Sequence, residues 1–263
     1  MLTFLKLGGS LITDKTRPYT PRLDLLSDLA GQIAAAMNKN ENLELIIGHG
    51  SGSYGHVPAS KYGTRQGVSG SKAWQGFAKV WYQASKLNRL VVDALVRSDL
   101  PAVTLSPFAS ITAHRGKPFI WDLYPLRSAL ENGLLPVIHG DVVFDDECGG
   151  TILSTEDLFI HLARVLKPDR ILLAGLEAGV WQDFPARTRL LAKITPQNFS
   201  GRVPGSGSAI GHDVTGGMQT KVTDMLALVE ELGSIEICVF SGEQPDNLRR
   251  ALLGASPGTC LSN

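Results

Sequence analysis

Gly48-His49-Gly50-Ser51-Gly52-Ser53-Tyr54-Gly55-His56 follows directly on the apolar run Leu43-Glu44-Leu45-Ile46-Ile47. The run reads as a buried strand, so the glycines fall where a strand's carboxyl end opens into a loop, the place at which open α/β sheets bind ligands. Four glycines and two serines in these nine residues leave main-chain N–H groups uncovered by Cβ atoms and let the backbone approach an anion, phosphate first among them. A purely structural turn is the competing reading of a lone glycine run. His56, a side chain that can carry charge near neutral pH, closes the loop and tips the balance toward the anion.

The same architecture recurs along the chain. Residues 2–7 read as a first strand that runs into Gly8-Gly9-Ser10, with Lys6 just before the turn and Lys15 just after it. Leu25, Leu29, Ile33 and Met37 recur every four residues and predict a helix over 21–37, which completes a βαβ unit. The polar, glycine-rich 57–72 reads as loop, and 72–97 as a long helix with Trp74, Phe77, Trp81, Leu87, Leu90 and Val91 inward. That aromatic stripe is either core or the wall of an apolar pocket beside the loop.

Residues 102–105 predict a strand, 123–132 a helix, and 135–139 a strand ending in Gly140-Asp141; 142–153 predicts a hairpin around Gly149-Gly150. Ser154-Thr155-Glu156-Asp157 starts a helix, with an N-cap residue and acids in its first turn, that reaches Leu166. Residues 170–174 form a strand apolar on both faces. The stretch 182–213, with Pro185, Pro196, Pro204 and the glycine- and serine-rich 201–211, reads as surface excursions or a lid. Asp213-Val214-Thr215-Gly216-Gly217-Met218 then opens a helix carrying Lys221, Met225, Leu228 and Leu232. A strand over 235–240, a helix over 246–253 and an edge strand at 259–261 complete the chain.

Strands and helices alternate throughout, which predicts an α/β fold: one continuous, open, mainly parallel sheet covered by helices on both faces. A single domain over 1–263 is expected, with an N-terminal lobe to about residue 150 and a C-terminal lobe from about 151. At 263 residues and 43% hydrophobic content the chain can bury a large core. Lys and Arg balance Asp and Glu at 25 each, so composition forces no basic face and gives a nucleic-acid partner no support. The three cysteines lie far apart, form no CxxC and are odd in number, which fits reduced thiols in a cytoplasm and neither a disulfide framework nor a zinc site. The amino end is too soon interrupted by glycine for a signal peptide, and no run approaches transmembrane length, so a cytoplasmic protein with no membrane partner is expected.

Three glycine turns, each with a lysine or histidine, carry more donors than one phosphate needs; two phosphorylated ligands meeting head to head would use them all. Gly-x-x-x-x-Gly-Lys-Ser/Thr is absent, and no Gly-x-Gly-x-x-Gly opens a helix after the first strand. Gly48-His49-Gly50-Ser51-Gly52 lacks the central serine of a hydrolase elbow. For each lysine a solvated surface charge is the competing reading, which adjacency to the glycine turns overrides.

The segment Lys6–Lys15, the 48–56 loop and Asp213–Met218 with Lys221, in this order over the whole chain, resemble the amino acid kinase family. The terminal His56 resembles the branch of it that phosphorylates a phosphate. One departure is Gly175-Leu176-Glu177-Ala178-Gly179-Val180-Trp181, where the family often has an Asp-rich segment. The resemblance implies an α/β/α sandwich and a homodimer. It implies transfer of the ATP γ-phosphoryl group to isopentenyl phosphate, with Mg²⁺ between the nucleotide phosphates. A phosphate acceptor, with a second pKa of about 6, needs no general base, so catalysis rests on positioning and on positive charge at the transferring group. On this resemblance Lys6, Lys15 and His56 are the catalytic candidates. Lys6, Gly8, Gly9, Ser10, Ser51, Asp157, Gly216, Gly217 and Lys221 face the nucleotide. Gly50, Gly55, His56, Ser154 and Thr155 face the acceptor, and no side chain is assigned to a metal. A kinase for another phosphate or phosphonate, such as fosfomycin, and a non-catalytic nucleotide-binding sensor are the alternatives.

Overall fold

β1 (Leu2–Leu7) lies inside the main sheet, flanked by parallel β2 (Glu44–His49) and parallel β9 (Arg170–Gly175). Its side chains alternate between two layers, as the two-residue period of a strand requires. Phe4 packs into one layer with Phe159 and Leu162, whereas Leu5 and Leu7 enter the other with Leu29, Ile33 and Val91. Lys6 shares the face of Phe4, and the strand's carboxyl end carries it out at the rim of the first layer.

The chain is described here by a computed structural model over residues 1–199 and 217–263. After β1 come a short helix α1 (Gly9–Ile12), α2 (Leu23–Lys39), β2, α3 (Gly52–Tyr62) and the long α4 (Ser71–Arg97). There follow β3 (Ala102–Thr104), α5 (Pro107–Ser110), β4 (Ile111–His114), β5 (Lys117–Trp121), α6 (Tyr124–Glu131), β6 (Leu135–His139), β7 (Asp141–Asp145) and β8 (Gly149–Leu153). The remainder runs α7 (Thr155–Leu166), β9, β10 (Lys193–Ile194), α8 (Met218–Leu232), β11 (Glu236–Ser241), α9 (Asn247–Leu252) and β12 (Thr259–Leu261). Among the described residues the main sheet has eight strands in the order β10-β12-β11-β9-β1-β2-β6-β3. All pairs from β11 to β3 are parallel; β12 runs antiparallel to β11. One face carries α7 and α8, the other α2, α4 and α9, so the mainly parallel sheet covered on both faces is as the sequence predicts.

The expected single continuous sheet is not. A second, four-stranded sheet, β5-β4-β7-β8, stands apart and takes up the predicted hairpin as β7 and β8. Its other two strands escaped the sequence reading, and Pro118 gives one reason: a proline cannot donate to a ladder, which hides a strand and confines it to an edge, where β5 lies. β12 is not the edge strand either, since β10 pairs outside it. Of the stretch 182–213 read as surface excursions or a lid, 200–213 lie outside the described residues, as does the helix opening at 213–216.

Candidate active site

Because the central strands are parallel, β1, β2, β6 and β9 all end at one rim of the sheet, and the first residue past a strand bonds to its neighbour. Gly8 N–H donates to Ala174 O at 2.8 Å, Gly50 N–H to Leu7 O at 3.0 Å, and Gly140 N–H to His49 O at 3.2 Å. The two glycine turns pack backbone on backbone: a Cβ on Gly9 would stand 2.4 Å from Gly52 N, and one on Gly50 2.7 Å from Gly9 N. Close approach, rather than loop mobility, explains these glycines.

The expected loop at 48–56 is therefore mostly regular structure. Gly48 and His49 end β2, Ser51 is the N-cap of α3, and His56 lies within that helix, which continues through Pro58 to Tyr62 into the stretch expected as loop. Glycines chosen for close packing imitate a loop signal. His49 is wholly buried, with ring nitrogens 3.1 Å from Gly50 O and 3.1 Å from Asn88 Oδ1. Burial first, and then the neighbouring His139, lower its pKa to about 3 and keep it neutral. Half-buried His56 is the imidazole that faces the cleft.

That cleft is open at the rim, with about 860 Å³ of space when its open mouth is counted. It brings together Lys6, Gly8, Gly9, Ser10, Lys15, Gly50, Ser51, His56, Ser154, Thr155 and Lys221 from the sequence candidates. The amino-terminal ends of α3, α7 and α8 border it, and a helix start turns N–H donors and a positive dipole end toward the space before it. The start of α7 is held there by Thr155, whose Oγ1 donates to His49 O at 2.6 Å. Gly217 is the N-cap of α8, and Gly216 lies outside the described residues. Not every turn amide is available to a ligand: those of Gly8 and Gly50 are engaged as above, and that of Gly55, which lines a side lobe, bonds to Ser51 O at 3.1 Å. Gly9, Ser10 and Ser51 stand at helix starts, where N–H groups lack intrahelical acceptors.

Glu156 is the residue that the sequence reading passed over. Although 8% exposed, it accepts a hydrogen bond from Lys6 Nζ, itself on a residue 7% exposed, and its Oε1 lies 3.5 Å from Lys221 Nζ. Burial pushes its carboxyl up, but the charges of Lys6 and Lys221 outweigh burial and hold it at about 2. A helix-start acid in this sequence looked like a dipole partner; only the fold reveals that it joins a strand lysine to a helix lysine.

Asp157, expected at the nucleotide, is engaged within the chain. It forms a capping box with Ser154, whose N–H donates to Asp157 Oδ2 at 2.7 Å, and it pairs with Arg65 Nη2 at 3.3 Å. Asp141 begins β7 fully buried, and Val142 N–H donates to its Oδ1 at 2.8 Å. The aromatic stripe of α4 also parts from expectation. Trp74 and Trp81 are 36% and 38% exposed, and Phe77 is buried in a cluster with Ala59, Val68, Val80 and Val142. Ala59, Val80 and Ile152 line the side lobe next to His56; Phe77 packs behind them.

Two lysines bridged by one buried carboxylate thus stand at a rim shared by glycine turns and helix starts. The amino acid kinase family profile matches residues 1–241. The chain belongs to the amino acid kinase family. Its similar relatives within that family include the isopentenyl phosphate kinase of Methanocaldococcus jannaschii, 36% identical over 98% of each chain. That of Methanothermobacter thermautotrophicus is 34% identical over 96% of each. A crystal structure of an isopentenyl phosphate kinase superposes with a TM-score of 0.82 at 33% identity, covering 100% of both chains. The product complex of the Thermoplasma acidophilum enzyme, at 23% identity and a TM-score of 0.79, shares the fold.

Proposed function

We propose that this chain transfers the γ-phosphoryl group of ATP to the phosphate of isopentenyl phosphate, giving ADP and isopentenyl diphosphate. The observation that carries the reading is one cleft holding His56 together with Lys15, Lys6, Glu156 and Lys221. It is supported by full-length relatives named for that activity. His56 and the start of α3, in the N-terminal lobe over residues 1–150, hold the acceptor phosphate. Lys221 and the start of α8, in the lobe from 151 onward, hold the nucleotide phosphates. Lys6 and Lys15 stand at the transferring group and offset the repulsion between two anions, which is the main barrier once the acceptor oxygen is already ionised. Glu156 fixes Lys6 and Lys221 in place.

Among the described residues no group of three His, Cys, Asp or Glu side chains is arranged to hold a metal ion, and Glu156 is engaged by lysines. A Mg²⁺ ion would accordingly travel on the ATP phosphates, with water completing its shell. It would neutralise charge on the β- and γ-oxygens. No described helix is long and apolar enough to cross a membrane, and the three free thiols suit a cytoplasmic setting. Among the described residues the main sheet ends at β3, and pairing of two copies near that edge would make the homodimer we propose.

The test is an ADP-release screen over isopentenyl, dimethylallyl and longer prenyl phosphates, fosfomycin and amino acids. The expected result is highest kcat/KM with isopentenyl phosphate. Faster turnover of fosfomycin or an amino acid would refute the substrate; nucleotide binding with no turnover would make the chain a sensor.

A further inference from the structure

Beside His56 the cleft extends into a lobe lined by Ala59, Val80 and Ile152 on its apolar side and by Arg65 and Asp141 on its polar side. Asp141 is turned inward: its Oδ2 lies 3.3 Å from His139 Nε2 and its Oδ1 accepts from Val142 N–H. Arg65 is anchored twice. Thr151 Oγ1 donates to its carbonyl at 3.1 Å, and its Nη2 donates to Asp157 Oδ2 at 3.3 Å. Its Nη1 is buried and has no hydrogen-bond partner. A guanidinium N–H hidden from water without an acceptor is costly, and the chemistry that resolves it is an anionic oxygen. An imidazole and a guanidinium thus line one small lobe, with an apolar wall next to them.

We propose that Arg65 is a second acceptor-binding cation: its Nη1 donates to the acceptor phosphate alongside His56, while Asp157 orients the guanidinium through Nη2. This assignment rests on the reading of the cleft as a kinase site for a phosphate acceptor. One residue serves both partners because the guanidinium fork has two faces of donors, which an ammonium lacks. Asp157 then acts at the acceptor end, through Arg65, and not at the nucleotide.

The test compares Arg65→Met and Arg65→Lys with the wild type, using isopentenyl phosphate and ethyl phosphate as acceptors. A lost charge-assisted bond should raise the acceptor KM about tenfold or more for both acceptors in Arg65→Met, with the KM for ATP unchanged. Arg65→Lys should fall between that variant and the wild type, and serves if Arg65→Met loses its melting transition. A rise confined to the five-carbon acceptor would mean that the side chain only packs against the tail, and an equal rise for ATP would mean that its role is structural; either overturns the proposal. Unchanged acceptor KM in both variants of an active enzyme overturns it alone, whereas a wild type silent with every phosphate acceptor overturns the kinase reading as well.

Discussion

Lys6 and Lys15 flank the same glycine turn and line the same cleft, and the fold holds them in opposite ways. Lys6 projects from a central strand, is 7% exposed and is bonded to Glu156. Lys15 is exposed on the loop that Thr13 and Pro21 close by an antiparallel bridge. A buried ammonium needs a countercharge whether or not a ligand is bound, so its position is set in advance. An exposed one acquires order only when an anion arrives. Damage at the first should reach stability and activity together; damage at the second should reach activity alone.

The largest expected effect follows from removing the countercharge. Glu156→Gln removes the buried carboxylate that Lys6 and Lys221 share, which should cost about 3–5 kcal/mol of stability. Addition of MgATP should recover part of the lost melting temperature, because phosphate oxygens replace the carboxylate. The pH dependence has a definite sign. Glu156 titrates at about 2 in the fold against an ordinary 4.5. Its contribution is therefore complete above the unfolded value and disappears as pH falls from there through about 2. Acid unfolding of Glu156→Gln should be correspondingly flatter over that window, and an unchanged acid limb and melting temperature would erase the distinction between the two lysines.

Lys15→Ala should next lower kcat about a hundredfold, the scale for losing one group that stabilises developing charge, with the melting temperature and both KM values nearly unchanged. A fall in stability comparable to that of Glu156→Gln would show that Lys15 is also a structural cation. His56→Ala should raise the acceptor KM by roughly tenfold, as expected for one charge-assisted hydrogen bond, and leave the KM for ATP alone. His56→Gln, which keeps a donor, should be milder. Equal damage to both substrates would place His56 in the wrong half of the cleft.

The smallest effect concerns the tail. Val80→Ala, at the wall of the side lobe, and Phe77→Ala, one layer behind it, should shift the ratio of kcat/KM for ten-carbon over five-carbon prenyl phosphates upward by a few-fold, on the order of one buried methylene. Trp81→Ala is the control: exposed and away from the lobe, it should leave the ratio where it is. A shift with Trp81→Ala and none with Val80→Ala would return the pocket wall to the aromatic stripe.

Much of this was legible in the residues because the signals are local. Apolar runs at 43–47 and 170–174 gave strands, four-residue spacing gave α2, and Ser154 to Asp157 gave a helix start with its cap. The candidates from Lys6 to His56 needed only proximity to glycine turns, and most of them line one cleft. The 48–56 stretch misled in detail because glycine marks close packing and chain reversal alike, and packing partners are not written beside it.

The sequence by itself determined the order of most strands and helices of the main sheet, its parallel character and the glycine turns at strand ends, since periodicity and backbone freedom act over a few residues. Only the tertiary structure decided which charges meet. Lys6 reaches Glu156 across 150 positions, and Lys221 joins them from α8. It also decided that His49 is a buried neutral ring while His56 opens on the cleft, and that Arg65 turns toward Asp157. Ion pairing and desolvation depend on distance in space and on the dielectric around a group, and neither is fixed until the layers have closed.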